Sequence, residues 1–382
     1  MEQNQQTTRL HAPWCLLLTV IAASSVQAGE MSRSLDCLFG ECTNWVSPGD
    51  SFHPKCCDQL FAPPMIGDSL GVPIAIGNAN RQVLHTQHFS KVADHNSPIP
   101  RTRVFMSYQR FDSYNAVESQ NNAADNQIDL HVYKLGFEKT LFDGNASVDF
   151  ILPMYQTLSP VNNGVGAPAT DELGNITFGY KHVLYEQEGL LISAGLRAEA
   201  PTEDNIVSGG AQINLDEWYM QPWVGFIVQG DDDTFLHCFI SERIAGSDFD
   251  SIFQVIDEGF AVGSTESQHL FMVDVGVGKW IHLSRECSVR AIVPTLELHY
   301  MHASGADTPF GLNGNLFGAN VDVLNLTLGA TAYVGERSAV QVGFGIPLQS
   351  NNDSNLLGAN GTVDSDSFYD WELLVHWTIF RR

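Results

Sequence analysis

Charge is scarce in this sequence and positive charge scarcer still. Asp, Glu, Lys and Arg together make up 16% of it, with 19 Lys+Arg against 44 Asp+Glu. The resulting formal charge of −25 leaves no basic surface for nucleic acid and no polybasic patch for an anionic lipid leaflet. Beyond residue 28 no stretch approaches the ~18 uncharged apolar residues that a spanning helix needs, so no transmembrane helix is expected in the mature chain. A phosphate-cradling glycine loop, a dinucleotide fingerprint and a zinc-protease helix are also missing, and no cofactor is expected. Hydrophobic residues nevertheless reach 44%, and 33 glycines with many Asn, Ser and Thr favour strands and turns over helices.

Residues 1–28 read as a signal peptide. Arg9 sits in a polar start, Trp14 to Ala23 form an apolar run, and Val26-Gln27-Ala28 offers a small-residue cleavage site. Cys15 falls within it. Cys37, Cys42, Cys56 and Cys57 crowd together beside His53, a set that would suit zinc in a reducing compartment. After export the expected fate is disulfide formation among the four, with no metal site, and the sequence does not choose the pairing. Cys238 and Cys287 stand apart. Residues 29–100 keep no periodicity and, stapled by the cysteines, are expected to form an N-terminal cap or plug.

The clearest pattern is at the end, in Phe368 to Arg382. Trp371, Leu373, Val375, Trp377 and Ile379 share one parity with Tyr369, while Asp370, Glu372, His376 and Thr378 share the other. A period of two puts these sets on opposite faces of a β-strand. One face is greasy with aromatic ends and the other is polar, as in a wall between lipid and a wet interior.

From residue 101 onward similar runs recur, at about 101–111, 127–141, 146–156, 173–185, 189–200, 216–228, 234–244, 268–281, 287–302, 320–333, 338–348 and 368–380. Short turns such as Asp143-Gly144-Asn145 alternate with long polar connections. Outer-membrane barrels segregate their loops in this way, whereas soluble sandwiches have no reason to. The fold class expected is therefore all-β, a transmembrane antiparallel barrel of about 12 strands (10–14) over 101–382. Near Lys134 the alternation changes parity, which suggests a bulge. A charge on the lipid face at mid-depth costs about 2–4 kcal/mol. Lys181, Arg197, Glu199, Asp274, Asp370, Glu372 and His376 are accordingly expected to line the lumen and any solute path.

The hairpin Leu173-Gly174-Asn175-Ile176-Thr177-Phe178-Gly179-Tyr180-Lys181, followed by Gly195-Leu196-Arg197-Ala198-Glu199-Ala200-Pro201-Thr202-Glu203-Asp204, resembles one in bacterial outer-membrane proteins of the meta-pathway of phenol degradation. That family is itself similar to the fatty-acid and toluene transporter barrels. The resemblance implies a channel for small molecules, hydrophobic or aromatic ones among them, and brings no catalytic residues. Where relatives often have Pro-Thr-Gly-Asp, this chain has Pro201-Thr202-Glu203-Asp204, and the inward-parity Phe380 is followed by Arg381-Arg382.

Three functions follow as expectations. The first is passage of small-molecule solutes across the outer membrane of a diderm bacterium, with outer-membrane lipid and the barrel-assembly machinery as partners. The second is a structural or adhesive surface protein with a closed lumen. The third is a lipid A deacylase-like enzyme, suggested by Met301-His302-Ala303-Ser304 after His299. Gly305 stands where that motif has Asn, and the next Glu, Glu336, lies far downstream. The chain is therefore expected not to be an enzyme. Asp231-Asp232-Asp233 lacks the spaced ligands of a calcium loop and reads as a solvated turn.

Overall fold

A computed structural model describes residues 62–68, 71–78, 81–114, 128–158, 171–187, 189–203, 206–208, 211–213, 217–230, 232–246, 249–255, 259–265, 269–283, 287–304, 309–310, 314–315, 321–348 and 369–381. The signal peptide expected at 1–28 and Cys37, Cys42, Cys56 and Cys57 lie outside them. Cys238 and Cys287 are described and buried.

Twelve strands make the wall: β1 (Arg103–Tyr114), β2 (Ile128–Leu141), β3 (Ala146–Leu158), β4 (Ile176–Gln187), β5 (Leu190–Ala200), β6 (Tyr219–Gln229), β7 (Thr234–Ala245), β8 (His269–Lys279), β9 (Val289–Ser304), β10 (Val321–Val334), β11 (Ser338–Pro347) and β12 (Trp371–Phe380). Each pairs antiparallel with the next, and β12 pairs with β1 from Trp371↔Asp112 to Phe380↔Arg103. The result is a closed 12-stranded antiparallel barrel, which leaves no free edge.

Side chains alternate as a half-wet wall requires. Outward positions are apolar, among them Leu135, Phe178, Leu196, Val224, Ile240, Leu296, Leu328, Val342 and Phe344, all exposed. Inward positions are buried, and many of them are polar or charged. The bulge expected near Lys134 is not there. β2 pairs with β3 without a break from Asp129↔Leu158 to Leu141↔Ala146, and Leu130, Val132, Lys134, Gly136 and Glu138 all face inward. The alternation looks broken because the inward set is mixed, apolar near one mouth and charged further in. Register shifts occur instead between Phe111 and Tyr114, Val183 and Tyr185, and Val289 and Ala291.

The hairpin that carries the family resemblance is locked at its long-loop end. Asn175 Oδ1 accepts the amides of Thr202 (2.9 Å) and Glu203 (3.1 Å). Thr202 Oγ1 donates to Gly174 O at 2.8 Å and accepts the Ile176 amide at 2.9 Å. Beyond the wall, Ile206–Ser208, Ala211–Ile213, Phe249–Val255 and Gly259–Thr265 form a separate four-stranded sheet from the connections after β5 and β7.

Two passes of chain run inside the barrel. The first, 62–68, starts at the short-turn end, where Ala62 packs among Trp280, Tyr333 and Ala339. It climbs to Asp68, which accepts Asn325 Nδ2 at 2.8 Å. The chain then forms a two-stranded hairpin, Gly71–Asn78 with Arg81–His88, that does not join the wall. The second pass re-enters at Phe89, clustered with Phe111, Leu270, Met301 and Tyr369 at the long-loop end. It descends to Ile99, against the short-turn cluster, before β1 begins. The passes pair with each other through Met65 N to Asn96 O (2.8 Å) and His95 N to Ile66 O (3.4 Å). All residues of 62–68 and 89–98 are buried.

Candidate functional site

The site is the middle of the lumen, where wall side chains grip the inner passes. Part of the grip is side chain to backbone, and that part does not depend on what the inner residues are. Glu297 (β9) accepts the amides of Ile66 and Gly67, each at 2.8 Å. Gln341 Nε2 (β11) donates to Pro64 O at 2.9 Å, Arg197 (β5) to Lys91 O at 2.8 Å, Lys181 (β4) to Ser97 O at 2.8 Å and Ser193 (β5) to Pro98 O at 2.7 Å. Backbone amides of an extended segment have no partner of their own, and burying them unpaired would cost about 1–3 kcal/mol each.

Ion pairs fill the space between β1 and β7. Glu138 takes Arg103 at 2.8 Å and Lys181 at 3.0 Å, and Ser147 Oγ donates to it at 2.7 Å. Arg243 binds Glu199 through Nη2 at 2.8 Å and lies 3.4 Å from the centre of the Tyr219 ring. Arg197 lies 3.6 Å from Asp149. Lys134 pairs with Asp94 of the descending pass, which also accepts Gln109 Nε2 at 3.0 Å. Burying an isolated charge is prohibitive, and these groups tolerate burial because they are paired and hydrogen-bonded.

The opposite side is acidic. Asp274 (β8) faces His299 Nδ1 (β9) at 2.9 Å, and Asp68 of the ascending pass lies 3.2 Å from the same nitrogen. His299 Nε2 faces Glu297 at 3.4 Å, and His237 (β7) approaches Glu297 at 3.8 Å. Lys91 of the descending pass reaches Asp68 at 2.8 Å and Asp274 at 3.7 Å. Asp68, Asp274 and His299 place ligand atoms within 4.8 Å of one another, the chemistry of a metal site. The Lys91 ammonium stands among them and already supplies the positive charge, so the set does not fit an added metal ion.

Narrow packing goes with these charges. A methyl group on Gly345 would overlap the Glu372 carboxyl lying across it, and one on Gly276 would overlap the His237 ring. Glycine at these inward positions lets long polar side chains lie flat along the wall. Several buried polar atoms have no hydrogen-bond partner among the described residues, among them Gln221 Oε1, both His237 ring nitrogens, Asp274 Oδ2, Asn325 Oδ1 and Glu372 Oε2.

Of the residues expected in the lumen, Lys181, Arg197, Glu199, Asp274, Glu372 and His376 are buried there. His376 stacks on His95 of the descending pass at 4.5 Å and bonds Ser107 Oγ at 2.8 Å. Asp370 is not in the lumen: it lies outside β12 and is exposed, its amide bonded to Asp112 O at 3.0 Å. Tyr369, assigned to the greasy face by parity, is buried instead and donates to Glu372 at 3.3 Å. Parity holds only within regular strand, and both residues precede it.

The sequence reading missed Arg103, Lys134, Glu138, Asp149, His237, Arg243, Glu297 and His299 on the wall, and Asp68, Lys91 and Asp94 within. Glu297 and His299 share parity with Val293, Thr295 and Met301, a signal available but masked by the apolar residues flanking them. His299 is in the lumen, not at a rim. His302 faces outward, with Nδ1 at 2.8 Å from Asp322, which also accepts Tyr300 Oη at 2.7 Å. The Ser304 side chain lies outside the described residues. In the acidic turn, the Thr234 hydroxyl donates to Asp232 at 2.6 Å and Lys279 lies 3.6 Å away. The Thr234 bond first, then the ammonium, hold the Asp232 carboxyl below its ordinary range against slight desolvation.

No protein-family model and no curated protein matches this chain. Among solved structures it is similar to an outer-membrane channel from Pseudomonas putida F1, with a TM-score of 0.52 and 12% identity, covering 77% of this chain and all of that one, 100%. It also aligns with the beta domain of the Bordetella autotransporter BrkA (TM-score 0.46, 9% identity, 74% of this chain and 100% of that one). A third alignment is with the Pseudomonas putida toluene transporter TodX (TM-score 0.37, 9% identity, 75% of this chain and 89% of that one). At such identities the likeness is one of fold, and the first alignment carries it. The chain has the fold of an outer-membrane β-barrel channel.

Proposed function

We propose that the chain is a channel for small molecules in the outer membrane of a diderm bacterium, and that its inner passes close the path until they shift. The observation that carries this reading is the polar grip at mid-lumen. A barrel shut for good gains most from apolar filling, about 25 cal/mol per Å² buried. This lumen instead holds its inner chain by hydrogen bonds and ion pairs, groups that water or a passing solute can replace. Buried polar atoms on Gln221, His237 and Asn325 without a partner among the described residues likewise suit a path that is wetted. The hairpin at 173–204 and the fold support the same reading, while the charged lining favours polar solutes over the hydrophobic ones that the resemblance implies.

A second reading, a surface protein with a permanently closed lumen, is favoured by the two passes that fill the barrel. Planar-bilayer recording separates the two. The full chain, shown to be folded by faster gel migration unheated than boiled, is expected to give discrete conductance steps. Glu297→Gln, which weakens the hold on Ile66 and Gly67, is expected to raise their frequency. Folded protein that conducts in neither form would leave the closed-lumen reading standing.

A further inference from the structure

The cations in the lumen are sorted by side. The five fully buried cations of the described wall, Arg103, Lys134, Lys181, Arg197 and Arg243, all stand on β1 to β7. On β8 to β12 the buried charged side chains are Asp274, Glu297 and Glu372, accompanied by His299 and His376 and by no buried Lys or Arg among the described residues. The first arc also carries Glu138, Asp149 and Glu199, which pair with Arg103, Lys181, Arg197 and Arg243. Its five cations outnumber its three carboxylates, and Lys134 is left to the inner chain. The facing arc carries carboxylates without a buried Lys or Arg among the described residues. Such an arrangement sets a field across the path rather than along it.

The descending pass bridges that field with one group of each sign. Lys91 pairs with Asp68 of the ascending pass at 2.8 Å and lies 3.7 Å from Asp274 of the acidic arc. Asp94, three residues on, gives its carboxylate to Lys134 and Gln109 on β2 and β1. The descending pass thus carries an ammonium and a carboxylate, held apart by a short backbone. The first is directed toward Asp274, with Asp68 of the ascending pass between the two passes, and the second sits on Lys134.

We propose that the lumen selects zwitterionic solutes of the free amino acid class, and that Lys91 and Asp94 occupy the ammonium and carboxylate subsites while the inner chain is in place. This deepens the channel reading and rests on it. A solute with separated charges would align with its ammonium toward Asp274 and Glu297 and its carboxylate toward Lys134. A neutral solute of equal size gains nothing from the field, and a singly charged one is repelled by one arc.

The test uses the full chain in proteoliposomes and compares entry of labelled L-glutamine with that of L-arabinose, which is close in size and uncharged. Glutamine is expected to enter faster by roughly tenfold, the lower range for charge-focused paths. Asp274→Asn and, from the opposite arc, Lys134→Met are each expected to bring the ratio toward one. Two such variants guard against one that fails to fold, which unheated gel mobility reveals. A ratio near one in the unaltered protein, or a ratio that survives both substitutions, overturns the proposal while leaving a channel. Entry of neither solute would overturn the channel reading and this inference together.

Discussion

The wall and the chain inside it are both extended backbone, yet different bonds hold them. Each wall strand pairs with two neighbours along continuous ladders, for instance from Asp129↔Leu158 to Leu141↔Ala146. The inner passes share two backbone bonds and the Lys91–Asp68 ion pair with each other, and are held to the wall by side chains such as Glu297, Gln341, Arg197 and Ser193. A ladder in a closed barrel satisfies every amide at once and has no edge from which to open. A segment pinned by individual side chains can let go one bond at a time. The difference makes the wall a fixture and the inner chain the part that can move, and substitution can test that contrast.

The largest effect is expected within the wall's own ion pairs. Glu138→Gln would leave Arg103 and Lys181, 2.8 and 3.0 Å from its carboxylate, without their buried counter-charge. Breaking a buried pair in this way typically costs about 3–5 kcal/mol, to be read as a drop in the urea midpoint of the barrel in detergent or lipid. On the other side of the same wall, Leu328→Arg places a cation on the apolar outer face of β10, where Leu328 is exposed. The cost is expected to be about 2–4 kcal/mol in bilayers, and it should be much smaller in a refolding mixture without lipid.

The inner chain should respond differently. Glu297→Gln keeps the shape but removes the charge that receives Ile66 and Gly67 N–H. Charge-assisted hydrogen bonds contribute about 1.5–3 kcal/mol, so those two amides are expected to exchange with deuterium about tenfold faster or more. Amides of the β9–β10 ladder on either side should keep their protection. If wall and inner amides loosen together, the two regions are one cooperative unit and the contrast fails.

That contrast also accounts for what could be read in advance. The strand number and the closure were legible because each strand must sort Leu, Val and Phe outward, as at Leu324, Leu326 and Leu328 against Asn325 and Thr327. A cap or plug was expected over 29–100, but the course of the inner passes was not legible, because bonds to their backbone ask nothing of their side chains: Pro64, Ile66, Gly67 and Pro98 are gripped through amide or carbonyl. Pairing across the lumen, such as Asp94 with Lys134 or Lys91 with Asp68, joins residues far apart in sequence and leaves no local pattern. Lys181, Arg197 and Glu199 could be placed because they sit on clean strands. His299 and Glu297 escaped because apolar residues sit on both faces of β9 near them.

The smallest effect distinguishes parity from position. By alternation alone, Asp370 belongs with Glu372 and His376 in the lumen, and its neutralisation should then disturb a buried network. In the structure Asp370 lies outside β12 and is exposed, attached to β1 only through its amide and the Asp112 carbonyl (3.0 Å). Asp370→Asn keeps that backbone bond and changes only a solvated carboxylate, so stability is expected to shift by less than about 0.5 kcal/mol. Conductance should be unchanged as well. Glu372→Gln, two residues on, alters a buried carboxyl that accepts the Tyr369 hydroxyl and lies over Gly345, and a measurable shift in the unfolding midpoint is expected there. Equal responses from the two variants would mean that the strand continues past Trp371 and that residue 370 turns inward after all.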